Sequence, residues 1–331
     1  MFHRPHVSRS AATAAAGLTL AALLAAPTQS ATAEKSLLSP DADWGLVIEP
    51  TRLTDSSLAR QFAAKLNEGQ RDRAGELIDH VSNMVGINLR EDLGTVIAFG
   101  DGFEPGDVSV AVDVGPNPTN LEGLMLADGA YQSYEYGDLI VHSVRGEPEN
   151  PRVFVAVIPG AEGTSGVALM SPNRERTEAL IDAARDGATV ARDAALPGDV
   201  FFRMWVNRLP DQLKQGQGQG SNVLNMIRSL ELAGATGVDE TTLGLELRMT
   251  SPARARQVHQ LAEGGKAMLE LAADSDPDAE MLSDLLAYVS VKGPDQGGDT
   301  LMLSVRCDND DLASLLDLLD EAGAFDDLNL D

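Results

Sequence analysis

Apolar residues recur along the chain in two patterns, one typical of strands and one typical of helices. From residue 108 to 114, valine alternates with polar or small residues, which predicts a strand with one buried face. From residue 77 to 85, apolar side chains recur at helical spacing. The order strand, strand, helix is repeated along the chain, and we interpret it as the structural module.

Four modules begin near residues 95, 152, 229 and 287, with matching outer steps and a longer middle step. The simplest account is two similar halves, residues 34–195 and 196–325, with a hairpin inserted at 131–145 and an acidic tail at 326–331. Strands that return through hairpins imply antiparallel sheets, and amphipathic helices need a sheet face to cover. The predicted fold is therefore α+β, with each half a mostly antiparallel sheet and its helices on one face.

Two Ser-Pro strings, at Ser171 and Ser251, each follow a strand pattern and precede a helix pattern. This arrangement predicts helices that are capped by the serine and carry proline in the first turn. Each string leads into two arginines, which we interpret as solvated or acid-paired surface charges and not as an anion site: Arg174, Arg176, Arg254 and Arg256.

The N-terminus resembles a secretory signal peptide. Arg4 and Arg9 precede an uncharged, alanine-rich run from 11 to 26, and Ala31-Thr32-Ala33 supplies small residues for cleavage. The alternative is an uncleaved membrane anchor, but the run is short and weakly apolar for a membrane span. We predict a signal peptide at 1–33 and a soluble mature protein, periplasmic or extracellular, that is not inserted in the membrane.

The chain of 331 residues has 51 acidic residues and a formal net charge of −26. Cleavage after residue 33 would remove two arginines and no acid, which lowers the charge further. Such a surface repels nucleic acid and anionic lipid. An acidic coat that interacts only with solvent is the ordinary interpretation, and recognition of cations or basic proteins is the alternative.

Composition also limits the chemistry. Cys307 is the only cysteine, which excludes intrachain disulfides and cysteine-cluster metal sites, and its place in an apolar strand pattern predicts a buried, unreactive thiol. The histidines form no metal motif, and there is no Gly-x-Ser-x-Gly nucleophile turn. We therefore predict no cofactor, no metal site and no catalytic residue.

Several other segments resemble ligand loops only in part. The Gln-Gly run at 215–220 is predicted to be a flexible loop, and Gly264-Gly265 a helix break. The carboxylates at 274–278 and 308–311 are predicted to begin helices, because acids favour a first turn. Weak divalent-cation binding at either carboxylate segment stays open.

Tyrosines are scarce, and three of the four lie close together at Tyr131, Tyr134 and Tyr136 in the predicted hairpin. Tyr134 and Tyr136 are two residues apart and should share one face. Exposed tyrosines suit interfaces, which makes these three the candidate partner-contact residues. The alternative is that they pack the hairpin onto its own domain.

The stretch 131–185, with its Tyr-Gly-Asp turn, His142-Ser143 strand end and Ser-Pro helix start, resembles uncharacterised exported bacterial proteins of two-repeat α+β build. Glu91-Asp92-Leu93, before a strand, also fits them. The resemblance implies a fold and carries no active residues. We expect a non-catalytic binding or interaction protein of the cell envelope, whose partner is a protein or small ligand. The alternative is a hydrolase or other enzyme with an acid-lined site assembled from separate loops.

Overall fold

The computed structural model describes residues 37, 42–65, 93–114, 131–145, 152–160, 165–186, 196, 199–210, 219–237, 240–308 and 311–315. All of them belong to one compact unit, residues 35–331. The signal peptide predicted at 1–33, the helix predicted around 77–85 and the acidic tail at 326–331 lie outside the described residues.

The described strands are β1 (Trp44–Ile48), β2 (Leu93–Gly100), β3 (Val108–Val114), β4 (Gln132–Tyr136), β5 (Leu139–Arg145), β6 (Arg152–Ile158), β7 (Gly166–Ser171), β8 (Val200–Val206), β9 (Ile227–Thr236), β10 (Glu240–Met249), β11 (Val289–Lys292) and β12 (Thr300–Asp308). They form one sheet in the order β11-β12-β10-β9-β8-β1-β2-β3-β7-β6-β5-β4. Every pairing between them is antiparallel. The predicted α+β class with antiparallel strands is confirmed.

The helices are α1 (Pro50–Thr54), α2 (Ser57–Lys65), α3 (Arg174–Arg185), α4 (Gln219–Leu224), α5 (Pro252–Ala272) and α6 (Pro277–Ala287). Residues 311–315 are also helical. None of the helices in this described part of the chain is both long enough and apolar enough to cross a membrane.

The structure contradicts two predictions about glycine-rich segments, the first only in part. Helix α4 begins at Gln219, so residues 219 and 220 are helical, and residues 215–218 of the predicted loop lie outside the described residues. Helix α5 runs through Gly264 and Gly265 without a break. Each glycine costs a helix about 1 kcal/mol, but the alanine, leucine, glutamate and lysine around this pair are strong helix formers that compensate.

The two Ser-Pro strings begin their helices differently. Ser251 caps α5 as predicted, accepting a hydrogen bond from the Arg254 amide, with Pro252 in the first turn. At α3 the prediction is wrong, because Asn173 is the cap and accepts from the Arg176 amide. Ser171 is still part of β7, where its buried hydroxyl donates to the Val108 carbonyl of the neighbouring strand.

Strands β1 and β8 join the two sets of strands into one sheet. Their register is centred on the pair of Leu46 with Met204. Beside this pair, the Trp205 ring crosses Gly45, and a Cβ at position 45 would lie 2.2 Å from a ring carbon. Only glycine gives the ring this space. We call β1 to β7 the first region and β8 to β12 the second region.

Residues that pair across neighbouring strands share a face of the sheet, so the registers trace each face from β4 to β12. One row runs through Tyr134, Val141, Ala156, Leu169, Ala111, Ile97, Val47, Arg203, Ala233, Gly244 and Ser304. We call this the front face. The adjacent row on the back face runs through His142, Val155, Met170, Val110, Ala98, Leu46, Met204, Leu232, Leu245 and Leu303.

Helices α3 and α5 lie on opposite faces. Helix α3 contacts Tyr134 and Tyr136 and buries Leu180 and Ile181, so it covers the front face of the first region. Helix α5 covers the back face of the second region, where its buried residues Ala255 and Val258 belong to a core cluster with Met249 and Leu301.

Candidate functional site

Strands β4 and β5 form a hairpin at one end of the sheet, which makes β4 an edge strand among the described strands. The hairpin turns at Gly137, whose φ of 64° lies in the left-handed region that favours glycine. The Arg185 guanidinium lies against this glycine, donates to the Tyr136 carbonyl and pairs with the Asp138 carboxylate. The C-terminal turn of α3 is thereby attached to the hairpin.

Tyr134 packs between a cation and another ring. The Arg174 guanidinium lies 3.9 Å from the centroid of the Tyr134 ring, an arrangement that attracts the cation to the ring face. Phe154 approaches edge-on, with centroids 6.5 Å apart. Burial, and after it the neighbouring Glu178 carboxylate, raises the pKa of Tyr134 to about 12. Arg174 is itself held by Glu178, to which it donates at 2.8 Å.

Tyr136 is held by a direct hydrogen bond, in which its hydroxyl donates to Oδ2 of Asp182 at 2.8 Å. This bond, with burial second, raises the pKa of Tyr136. The α3 residues that hold the hairpin recur about one helical turn apart on one face: Arg174, Glu178, Asp182 and Arg185. Tyr134 and Tyr136 therefore share a face, as predicted, and that face is attached to α3.

Tyr131 lies apart from the other two tyrosines. Its hydroxyl is 2.9 Å from Nδ1 of His142, and the two rings are 5.9 Å apart. Because His142 belongs to the back-face row, the structure brings together two of the three predicted residues and leaves Tyr131 on the other face. All three contact their own chain, and partner contact stays a prediction.

A second cluster, which sequence reasoning missed, lies on the front face of β2 and β3. Burial, and next the charge of Glu49, raises the pKa of Asp113 from 3.8 to about 6. The Thr95 hydroxyl donates to Oε1 of Glu49 at 2.8 Å. No signal in the sequence indicated it, because Asp113 lies on the face of β3 opposite the valines and its partner Glu49 is distant in sequence.

A groove of about 910 Å³ lies between α4 and the first half of α5, and no motif indicated it. Its lining comprises Asn222, Val223, Asn225, Met226, Thr250, Arg254, Gln257 and Leu261. This lining contains amides, apolar groups and one cation, and it contains no acid. Asp113 is not among these residues.

The other candidate residues that the structure describes have structural roles. Asp308 accepts from the Asp311 amide at 2.8 Å, the helix-start role predicted for 308–311. No group of three or more histidine, cysteine or acidic residues within the described ranges is placed to hold a metal. Cys307 is buried, and burial raises the pKa of its thiol to about 11, as expected of an unreactive thiol.

No protein-family model matches the chain, and no curated protein matches it. Among solved structures, it is similar to TP0453 in crystal form IV, with a TM-score of 0.46 and 10% identity over 89% of this chain and 99% of that one. The same protein in crystal form I gives a TM-score of 0.43 and 10% identity over 88% and 99% of the two chains.

Proposed function

We propose that this chain is an exported, acidic, non-catalytic binding protein of the cell envelope. The observation that carries the proposal is the β4 edge, which pairs with β5 on one side and with no other described strand. Its tyrosines are already fixed by α3, so binding would cost little ordering of side chains. A rigid edge strand can accept an extended segment of a partner as one more strand.

Charge favours a basic partner segment. Three acids lie at the tyrosine face of the hairpin against two arginines, and both arginines are already paired with acids: Asp138, Glu178, Asp182, Arg174 and Arg185. The whole chain carries a net charge of −26. Charge of opposite sign on a partner increases its rate of association and selects it over acidic competitors. The partner we propose is therefore an extended, basic protein segment.

The alternative is an enzyme with an acid-lined site, and the raised pKa of Asp113 is the observation in its favour. A catalytic site needs a perturbed acid within a concave site that can hold a substrate. Here the large groove contains no acid, and Asp113 is not part of its lining. This separation supports binding over catalysis.

The order of the strands supports a second part of the proposal, that the chain has two halves of similar plan. Outward from the β1–β8 pair, one side reads β1-β2-β3-β7-β6 and the other reads β8-β9-β10-β12-β11. In each set, three strands that are consecutive in the chain lie side by side. The two strands of a later hairpin come next, and the second strand of that hairpin lies beside the first three. This correspondence supports two halves of similar plan, in which β4 and β5 are an insertion in the first half. A two-repeat build is also what the resemblance to exported bacterial proteins implies.

Site-specific cross-linking tests the binding proposal. A photoreactive amino acid is placed at Ser133, exposed on β4, and in a control at Ser290, exposed on the opposite edge strand β11. Irradiation with envelope proteins of the producing cell should give a discrete adduct from position 133 only. Tyr134→Ser with Tyr136→Ser should remove it, whereas Tyr131→Ser on the back face should not.

The same experiment can refute the proposal. Identical adducts from both positions, or none from position 133 while circular dichroism shows a folded protein, would reject the β4 edge as the binding site. A hydrolytic activity of the purified protein that Asp113→Asn abolishes would establish the enzyme. Export is tested separately, because N-terminal sequencing of the secreted protein should begin at Glu34.

A further inference from the structure

Helix α5 presents an apolar stripe to solvent. Six residues on one face of the helix recur at alternating steps of three and four, and all six are exposed: Arg254, Gln257, Leu261, Gly264, Met268 and Leu271. Leu261 is 57% exposed, Met268 73% and Leu271 78%. The opposite face carries Ala255 and Val258, which are buried against the sheet. A spacing of three and four is the repeat with which one helix packs along another.

The charges of α5 are reversed with respect to the helix dipole. Arg254 and Arg256 lie near the N-terminus, where the dipole is positive, and Glu270 and Asp274 lie at or just beyond the C-terminus, where it is negative. There is no acid in the first turn and no base in the last. This arrangement destabilises a single helix, and α6, which packs against α5 in the same chain, carries three acids and no base. A neighbour outside this chain would be needed to compensate the charges of α5.

The geometry points to a second copy of this chain as the occupant of the stripe, with its α5 packed antiparallel to the first. Antiparallel pairing places the arginine end of each helix beside the acidic end of the other and opposes the two dipoles. A parallel pair would place like charges together at both ends. The contact is self-complementary, as a two-fold dimer requires.

The apolar positions also match in this orientation. When Leu261 of one copy faces Leu271 of the other, Gly264 faces Met268. No atom lies within 4 Å of a Cβ built at Gly264 or Gly265, so there is room at the middle of the helix for the methionine. This inference does not rest on the proposed function, because β4 lies at the opposite end of the sheet from β11 and β12, which α5 covers.

Sedimentation equilibrium of residues 34–331 tests the dimer. We expect a monomer–dimer equilibrium, and Met268→Asp with Leu271→Asp should raise its dissociation constant at least about 100-fold, because each copy loses two apolar contacts. The control is Phe103→Asp, which removes an apolar residue that is 44% exposed elsewhere and should leave the constant unchanged. A wild-type protein that is monomeric at all concentrations would overturn the inference.

Charge reversal tests the orientation. Arg254→Glu and Asp274→Arg should each weaken the dimer several-fold, and the two together should restore it. Residues 254 and 274 are about 30 Å apart along one helix, so restoration would have to come from pairing between copies. Arg254→Glu improves the match to the α5 dipole, so weaker association of this variant could not be attributed to an unstable helix. Equal weakening in the double variant would contradict the antiparallel pair.

Cysteine cross-linking provides an independent measurement of orientation. In the antiparallel register, two copies of Gly264→Cys lie about 6 Å apart along the helix axis, and two copies of Leu271→Cys about 15 Å apart. A short thiol cross-linker should therefore join the first variant and not the second. The native Cys307 is buried and should not react. Efficient cross-linking of both variants would indicate a parallel pair and reject the proposal.

Discussion

The two regions of the sheet bury their side chains differently, although they share one sheet. In the first region both faces are buried, since the front face carries Ile97 and Leu169 and the back face carries Val112 and Ala168. In the second region the apolar core cluster lies on the back face, under α5. The front face there carries small buried residues, such as Ala233 and Ala235, beside the ion pair of Arg203 with Glu231.

The exposure of side chains on the front face changes where β1 pairs with β8. Val47 of β1 is 1% exposed, and its partner Arg203 of β8 has a side chain that is 45% exposed. The back-face row stays apolar across the same pair, from Leu46 to Met204. A sheet can therefore be continuous in its hydrogen bonds while one face changes from an apolar core to small buried residues beside an exposed ion pair. Helices α3 and α5, on opposite faces, match this change.

The largest effect should come from large-to-small substitutions on the buried faces. Leu169→Ala on the front face of the first region and Leu301→Ala on the back face of the second should each lower the free energy of unfolding by about 3 kcal/mol. Both side chains are at most 1% exposed. Ser304→Ala, in the same front-face row as Leu169, should change it by less than about 0.5 kcal/mol. Urea denaturation measures all three, and a large effect at Ser304 would show that the front face of the second region is tightly packed at this position.

The stability of the protein should be nearly as sensitive to substitution where β1 pairs with β8. Gly45→Ala places a methyl group 2.2 Å from a Trp205 ring carbon and should cost about 2 kcal/mol through overpacking. In a Trp205→Val background the same change should cost less than about 0.5 kcal/mol, because the ring is gone. Gly106→Ala is the control, since no atom lies within 4 Å of its Cβ position. An equal loss of stability in both backgrounds would mean that the Trp205 ring is not the reason why position 45 needs glycine.

The buried carboxylate of the first region should make stability depend on pH. The pKa of Asp113 is raised to about 6, so the folded protein binds this proton more tightly than the unfolded chain does. Stability should therefore fall as the pH rises from about 4 to 6, and the whole cost is present above that range. Asp113→Asn should stabilise the protein at pH 8 by about 1 kcal/mol, a value reduced for partial exposure, and have little effect at pH 4.

Thermal unfolding at both pH values measures this difference. Glu263→Gln is the control, because Glu263 is an exposed acid on α5, far from Asp113 in the sheet. A gain from Asp113→Asn that is the same at pH 4 and pH 8 would show that the charge is not the cause.

The smallest effect should come from the ion pair on the front face of the second region. Arg203 donates from Nε and Nη2 to the two carboxylate oxygens of Glu231 at 2.8 and 2.9 Å. A double-mutant cycle with alanine at both positions should give a coupling of about 0.5 kcal/mol, because the pair is solvated. Salt at about 1 M should remove most of it. A coupling above about 2 kcal/mol would mean that this face is covered.

Local patterns in the sequence predicted the elements well, and they failed where two parts of the chain compete for one residue. Strand β3 has the predicted bounds, 108 to 114, and Ser251 caps α5 as its string indicated. Ser171 has the same string, but its hydroxyl bonds to β3, which is remote in sequence. The candidate tyrosines were visible as a cluster, and the separation of Tyr131 from Tyr134 and Tyr136 followed from the strand period. Their contacts with Arg174 and Asp182 required the position of α3.

The sequence by itself determined the α+β class, most element positions, the acidic charge and the buried state of Cys307, because each depends on composition or on the spacing of neighbouring residues. Only the tertiary structure decided that β1 pairs with β8 and that α3 and α5 cover opposite faces. It also placed Asp113 beside Glu49 and left the stripe of α5 exposed. A periodic pattern gives an element two faces, but which neighbour covers each face depends on contacts between residues far apart in the chain.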